Sequence, residues 1–150
     1  MSDIILPDTG PLGLITHPLG SAESDACNLW MRSQLSTGVL VLVAGIADYE
    51  LRREMLLNGN IKGIIRLNNL NALIGFDPIT TAVMNHAATL WAQARKMGKP
   101  TASDLALDGD MILSAHAALI AARGHKPTVA TTNVKHLDLF CNARLWREIS

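Results

Sequence analysis

Residues 39–43 form the feature that most restricts how this chain can fold. All five are valine or leucine, and the apolar run continues to residue 47 without a charged or polar side chain. β-Branched residues favour strands. A strand with no polar alternation is buried on both faces, which is typical of a parallel sheet covered by helices. The run therefore predicts an α/β fold.

The rest of the sequence alternates between strand and helix patterns. This alternation indicates a parallel α/β layer sandwich. No repeat and no long linker divides the 150 residues, so we predict a single domain over residues 1–150. The predicted strands cover residues 4–6, 39–43, 72–76, 128–131 and 144–149 (an edge strand), and the predicted helices cover residues 23–36, 46–57, 61–70, 79–97 and 108–123. Residues 8–11 are predicted to form a turn and residues 136–140 a short helical turn.

The charge balance limits the functions open to the chain. Lys plus Arg and Asp plus Glu number 13 each, so the net charge is zero. Nucleic-acid-binding proteins often carry an excess of basic residues, and affinity for nucleic acid here would need a local basic patch or a bound metal. We also expect a cytoplasmic protein with reduced cysteines, because no signal peptide or membrane-length apolar run is evident.

Four acidic residues stand at the ends of apolar segments. Asp8 follows the first predicted strand, Glu50 follows the run at 39–47, and Asp108 and Asp110 open a predicted helix. The carboxyl ends of parallel strands meet at one crevice, where ligands bind. Carboxylates gathered there repel each other unless a divalent cation lies between them. The pattern therefore indicates a metal-dependent enzyme that acts on phosphates.

Each of these residues also has an ordinary structural role open to it. Asp8 is a common turn residue or N-cap, and a Glu such as Glu50 in the first turns of a helix is usually solvated. Asp108 is predicted to be the helix N-cap, which leaves Asp110 as the better metal candidate. Asn133, after the strand at 128–131, either forms a turn or binds a phosphate or a water on a metal.

Several further residues are candidates on position alone. Glu54 lies one helical turn beyond Glu50 and is a rival for its metal role. The candidate phosphate contacts are the basic residues Arg52, Arg53, Arg95, Lys96 and Lys135, of which the first two have nearby acids as an alternative partner.

Four stretches, taken in order, resemble the PIN-domain family and especially its VapC-type toxin branch. A single stretch of this kind is weakly specific, but their order and separations match over essentially the whole chain. The stretches are residues 7–12 (PDTGPL), 47–51 (ADYEL), 109–117 (GDMILSAHA) and 132–137 (TNVKHL).

The resemblance implies a three-layer α/β/α sandwich and a metal-dependent endoribonuclease. Asp8, Glu50 and Asp110 would hold Mg²⁺ or Mn²⁺. Many members have a fourth acid after the late strand, and this chain has Asn133 there, which is a weaker metal ligand. Asp108 is an additional metal candidate, and either Asp108 or Asp138 would compensate for the missing carboxylate.

The resemblance also implies partners. These are an RNA substrate, a small cognate antitoxin and a second copy of the chain in a homodimer. Two alternatives remain open at this point. One is a PIN nuclease with a housekeeping role in RNA processing, and the other is a degenerate PIN domain that binds a protein or RNA and cuts nothing.

Overall fold

A computed structural model of the protein describes residues 3–98 and 104–150, without the side chains of residues 104–106 and 136. Six α-helices and six strands are found in this part of the chain. The strands are β1 (Asp3–Pro7), β2 (Leu40–Val41), β3 (Val43–Ala44), β4 (Phe76–Asp77), β5 (Lys126–Thr131) and β6 (Ala143–Leu145). The helices are α1 (Thr9–Thr16), α2 (Ala22–Ser36), α3 (Gly45–Leu57), α4 (Ile61–Ile74), α5 (Thr81–Lys96) and α6 (Asp104–Ala122).

The central sheet is parallel throughout, in the order β2-β1-β5-β6. Strand β1 lies in the middle and pairs with β2 through Ile4 opposite Leu40 and with β5 through Leu6 opposite Val129. Both neighbours run in the direction of β1, so their carboxyl ends share one edge of the sheet. The parallel α/β fold predicted from the sequence is confirmed.

The apolar run at residues 39–43 changes sheet at Leu42. Strand β2 belongs to the central sheet, whereas β3 pairs with β4 in a separate two-stranded parallel sheet. The Leu42 N–H donates to the Ile5 carbonyl at 3.0 Å, and the next N–H, from Val43, donates to the Gly75 carbonyl at 2.9 Å. Val41 and Val43 are buried, but Leu40 is 48% exposed because β2 lies at the edge of the central sheet. The expectations of one continuous strand and of burial on both faces along the whole run are therefore wrong.

Helices cover both faces of the sheet. Ile5 faces a core that it shares with buried residues of α1 to α4, such as Leu12 and Leu67. Its neighbours Ile4 and Leu6 point the other way and pack with the inner face of α6. Helix α5 packs on α6 through a third apolar cluster. The alternation along β1 therefore produces three layers, with each fully buried aliphatic side chain contributing roughly 1.5–3 kcal/mol.

Residues 9–16 form a helix where a turn was predicted at residues 8–11. The sequence contains two glycines and Pro11, which lower helix propensity. Pro11 falls in the first turn, where a missing N–H costs nothing, and the Asp8 carboxylate caps the helix by accepting from the Thr9 N–H. Burial of Leu12 and Ile15 against the sheet then stabilises α1.

Other boundaries also differ from the predictions. Residues 72–74 belong to α4, not to a strand, and Phe76 begins β4. Helix α6 begins at Asp104, so the expectation that Asp108 caps it is wrong. The predicted edge strand at 144–149 is a short strand, β6, followed by a 3₁₀ turn at Trp146–Glu148. None of the described helices is long and apolar enough to span a bilayer.

Candidate functional site

Three acidic side chains are placed at one edge of the sheet by three different elements. Asp8 follows β1 directly and caps α1. Glu50 lies in the second turn of α3, which continues from β3, and Asp110 lies in the second turn of α6. The strands β1 and β3 run in the same direction, so the residues that follow them emerge at the same edge.

Both oxygens of the Asp8 carboxylate accept a hydrogen bond. The Thr9 N–H donates to Oδ1 at 2.8 Å, and the Thr131 hydroxyl, at the end of β5, donates to Oδ2 at 3.1 Å. Burial raises the pKa of Asp8, and the two hydrogen bonds offset part of that rise. Asp8 is therefore the anchored member of the group.

Glu50 is held more loosely. The Thr9 hydroxyl lies 3.5 Å from Oε1, and Arg53 Nη2 lies 3.8 Å from Oε2. Burial and then the negative charge of Asp8 raise the pKa of Glu50, while the charge of Arg53 opposes the rise. The long distances to both partners leave the Glu50 carboxylate free to shift.

Asp110 is the most strongly perturbed of the three acids. Burial, followed by the negative charges of Asp8 and Glu50, raises the pKa of Asp110 to about 7. The charges of Asp8 and Glu50 thus reach Asp110, although the three residues are far apart in the sequence. We refer to Asp8, Glu50 and Asp110 as the acid cluster.

The acid cluster is more open than a closed coordination shell. Within residues 3–98 and 104–150, no group of three or more His, Cys, Asp or Glu side chains is close enough to hold an ion as the side chains stand. Like charges favour rotamers that point apart, and a dication between the carboxylates would reverse the sign of that interaction. An all-oxygen set of carboxylates is the type that Mg²⁺ and Mn²⁺ prefer, so these residues fit such a cation.

Asp108 does not join the acid cluster. It is exposed and lines the groove between α5 and α6 with Met84 and Trp91. Asp108 and Asp110 are two residues apart in a helix, which points them to different sides. The structure therefore separates the two acids that the sequence placed together.

Asn133 serves the turn after β5. Its side-chain oxygen accepts from the Lys135 N–H at 3.2 Å and caps a 3₁₀ turn, and its own N–H donates to the Thr131 hydroxyl at 3.1 Å. The turn-forming alternative is what the structure contains. Through Thr131, the Asn133 backbone is also linked to Asp8, so Asn133 remains a candidate at the border of the acid cluster.

The other charged candidates differ in their surroundings. Arg52 forms a bidentate ion pair with Asp48, at 2.9 and 3.0 Å, and is not directed at the acid cluster. Arg95 stacks on the Trp91 ring at 5.3 Å, far along α5. Of the proposed phosphate contacts, Arg53 is the one placed beside an acid of the cluster, where it also covers the ring of Tyr49 at 5.2 Å.

Glu54 and Lys135 are both exposed. Glu54 lines a groove between α1 and α3 that also contains Gly13 and His17. The charge of Glu54 adds a small part to the raised pKa of Glu50. Glu50 is the acid of this helix whose charge acts on Asp110, so it is the one assigned to the cluster.

Two residues near the acid cluster were not singled out from the sequence. Thr131 ends a buried strand, and the rule applied to Asp8 would have identified it. Cys141 has no comparable local signal: burial, and in smaller part the charges of Asp8, Asp110 and Asp138, raise its pKa to about 11. Its nearness to the cluster follows from the loop between β5 and β6, which only the folded chain reveals.

No protein-family model and no curated protein matches the sequence. Solved structures do match. VapBC2 from Rickettsia felis, bound to a DNA fragment from its promoter, contains a chain with 15% identity and a TM-score of 0.67, covering 95% of this chain and 96% of that one.

Two further structures agree. A chain of VapBC-1 from nontypeable Haemophilus influenzae has 14% identity and a TM-score of 0.69, with 97% and 99% of the two chains covered. A chain of DNA-bound VapBC from Salmonella typhimurium has 17% identity and a TM-score of 0.64, again covering 97% and 99%. At such low identity the similarity concerns the fold alone. It confirms the expected three-layer sandwich. The chain has the PIN-like fold of these VapBC chains.

Proposed function

We propose that the protein is a divalent-metal-dependent endoribonuclease, the toxin of a toxin–antitoxin pair. The observation that carries this proposal is the acid cluster at the carboxyl edge of a parallel sheet, in which burial raises the pKa of all three acids, the charge of Asp8 further raises that of Glu50, and the charges of both further raise that of Asp110. Strongly perturbed acids in such a position are candidates for function. Asp8, Glu50 and Asp110 would hold Mg²⁺ or Mn²⁺.

The chain's own groups would divide the work. Asp8, with both oxygens fixed by donors, would orient the site, and Glu50, whose contacts are long, would complete the ligand set with Asp110. Arg53, at the rim, would contact a substrate phosphate, as would the exposed Lys135 after Asn133. When bound, the cation supplies charge neutralisation at the phosphate and acidifies a water molecule.

The partners form part of the same proposal. The three structures described above are VapBC assemblies, which supports a small cognate antitoxin as a partner of this chain. Half-exposed apolar side chains such as Met84 and Trp91 in the groove between α5 and α6 support a protein partner, either the antitoxin or a second copy. Both cysteines are unpaired, in keeping with a cytoplasmic location.

Cleavage of total RNA tests the activity. Purified protein with Mg²⁺ or Mn²⁺ should give discrete fragments, and Asp8→Asn and Asp110→Asn should give none. Asp25→Asn, which alters an exposed acid of α2, is the matched control and should cut like the wild type. Equal cleavage by the Asp8→Asn variant would exclude the metal-nuclease mechanism.

A binding module without nuclease activity is the second candidate, and Asn133 favours it. An amide stands where a fourth acid would be, and its oxygen is already used to cap a turn. A module of this kind would bind its partner equally well as the Asp8→Asn variant and without divalent cations. A housekeeping nuclease would cut RNA as proposed but would not arrest growth when overproduced without an antitoxin.

A further inference from the structure

The residue before Asp110 in α6 is a glycine, and the Glu50 carboxylate lies directly against it. A Cβ atom added at residue 109 would stand 2.6 Å from Oε2, 3.0 Å from Cδ and 3.1 Å from Oε1 of Glu50. Ordinary packing does not allow carbon and oxygen atoms to approach to 2.6 Å. Any side chain at residue 109 would therefore have to displace the Glu50 carboxylate.

Backbone conformation does not explain the glycine. Gly109 is absent from the glycines with positive φ, and it lies inside the helix. Glycine in a helix interior is less stable than alanine, because it loses more conformational freedom on folding. Alanine would thus suit the backbone at residue 109 better, and what opposes it is the Glu50 carboxylate.

The Glu50 carboxylate would yield to a side chain at residue 109. Its contacts with the Thr9 hydroxyl and Arg53 are 3.5 and 3.8 Å long, so neither holds it firmly. The carboxylate is also the far end of a flexible side chain, so its movement disturbs little else. A methyl group at residue 109 would therefore change the position of Glu50 and leave the fold intact.

We infer that Gly109 is a positioning residue of the acid cluster. Because it has no side chain, the Glu50 carboxylate can lie beside Asp110, and this sets the affinity of the cluster for a divalent cation. The inference rests on the proposed function, since it assumes that the cluster binds such a cation.

Calorimetric titration with Mn²⁺ tests the inference without any activity measurement. Gly109→Ala should bind Mn²⁺ about 10- to 100-fold more weakly than the wild type, the range typical of residues that orient metal ligands. Its unfolding midpoint without metal should be no lower than that of the wild type. The matched control is Gly13→Ala, another helical glycine, where the added Cβ would meet Leu51 Cδ1 at an ordinary 3.6 Å. It should bind like the wild type.

A second substitution separates displacement of Glu50 from other effects. Glu50→Asp shortens the side chain by one methylene and should weaken Mn²⁺ binding in the wild-type background. In the Gly109→Ala background the same change relieves the clash, so it should strengthen Mn²⁺ binding.

The outcomes are distinguishable. Wild-type affinity in Gly109→Ala would overturn the inference and leave the proposed function standing. A clear drop in the unfolding midpoint together with the affinity would also overturn it, because Gly109 would then be required for folding. Absence of Mn²⁺ binding by the wild type, measured first, would overturn the proposed metal site and this inference with it.

Discussion

At the scale of single residues, Thr131 has the most defined task near the acid cluster. Its side chain is 1% exposed, and its hydroxyl accepts from the Asn133 N–H at 3.1 Å. The hydroxyl proton has two acceptors within reach, Asp8 Oδ2 at 3.1 Å and the Asn133 carbonyl at 3.3 Å, and the nearer, charged carboxylate is the stronger acceptor. A buried donor to a carboxylate is worth more than an ordinary hydrogen bond.

Thr131→Val should remove this donor while keeping the shape of the side chain. We expect the free energy of unfolding to fall by about 1.5–3 kcal/mol, the range for a hydrogen bond to a charged group. Mn²⁺ binding should weaken as well, because Asp8 loses one of its two anchors. Urea denaturation and calorimetry measure the two effects. Thr131→Ser retains the hydroxyl and should restore Mn²⁺ binding, while its stability should stay below that of the wild type because a buried methyl group is lost. A serine variant that binds Mn²⁺ as weakly as the valine variant would contradict the assignment.

Asp110 gives a prediction about pH. Its pKa in the folded protein is about 7, raised from 3.8, so the folded state without metal binds a proton that the unfolded state releases. Stability from this group is present below pH 3.8 and is lost as the pH rises toward 7.

Asp110→Asn should therefore raise the free energy of unfolding at pH 8 by about 1–2 kcal/mol after allowance for solvent screening. At pH 4 it should change little. Denaturant unfolding of metal-free wild type and variant at both pH values measures the difference. An equal effect at pH 4 and pH 8 would show that Asp110 is not the group that titrates.

At the scale of elements, α3 and α4 are joined by a polar network centred on Asp48. The Asp48 carboxylate pairs with Arg52 and accepts from Asn71 Nδ2 at 2.8 Å, and Arg52 Nη2 reaches Asn68 Oδ1 at 2.8 Å. Burial alone would raise the pKa of Asp48, but the hydrogen bonds from Arg52 and Asn71 outweigh it, and the pKa is lowered. Asp48 and Glu50 point to different sides of α3, so the network fixes the helix that presents Glu50.

Asp48→Asn should weaken this connection. We expect a loss of about 1–3 kcal/mol at pH 7, because Arg52 is left without its charged partner. A lowered pKa means that the stabilisation is present above the unfolded value of 3.8 and is lost as the pH falls below it. The difference between wild type and variant should therefore shrink below pH 3.8, as measured by urea unfolding. A difference that persists at pH 2 would indicate packing and not charge.

The sequence predicted the elements better than their ends. Residues 39–43 predicted a strand because valine favours the extended backbone, but their composition did not reveal that β2 lies at the sheet edge, where Leu40 is 48% exposed. Where that strand changes sheet, at Leu42, depends on which backbone groups lie opposite, and only the fold determines them. Likewise α1 forms in a sequence of low helix propensity because Asp8 caps it and the sheet covers it.

The site was predicted only in part, for a similar reason. In the sequence, Asp8 and Glu50 follow apolar runs and Asp110 stands near the predicted start of a helix, so a rule based on segment ends selects them, although in the structure Glu50 and Asp110 lie in the second turns of their helices. Asp108 satisfies the same rule but lines another groove, because residues two apart within a helix point to different sides. Gly109 and Cys141 could not be identified from the sequence, because their importance depends on neighbours that are distant along the chain.

At the scale of the whole molecule, the proposed metal site predicts a gain in stability on binding. Mn²⁺ at 100 times its dissociation constant should add about 2.7 kcal/mol to the free energy of unfolding if it binds only the folded state. Thermal unfolding with and without Mn²⁺ measures this gain. The gain should vanish in Asp8→Asn and persist in Asp25→Asn, and a gain of equal size in both variants would place the ion elsewhere.

Because the chain changes sheet at Leu42, a cation bound by the acid cluster would connect the two sheets. Asp8 continues a strand of the four-stranded sheet, whereas Glu50 belongs to the helix that continues β3 in the two-stranded sheet. A cation held by both side chains would cross-link the two sheets at their boundary. The Leu42 N–H donates to the Ile5 carbonyl in the central sheet, and the Val43 N–H donates to the Gly75 carbonyl beside β4. Both amide hydrogens would exchange with solvent more slowly when Mn²⁺ is bound. The amide exchange rates of Leu42 and Val43 would therefore report metal binding, although neither residue is a metal ligand.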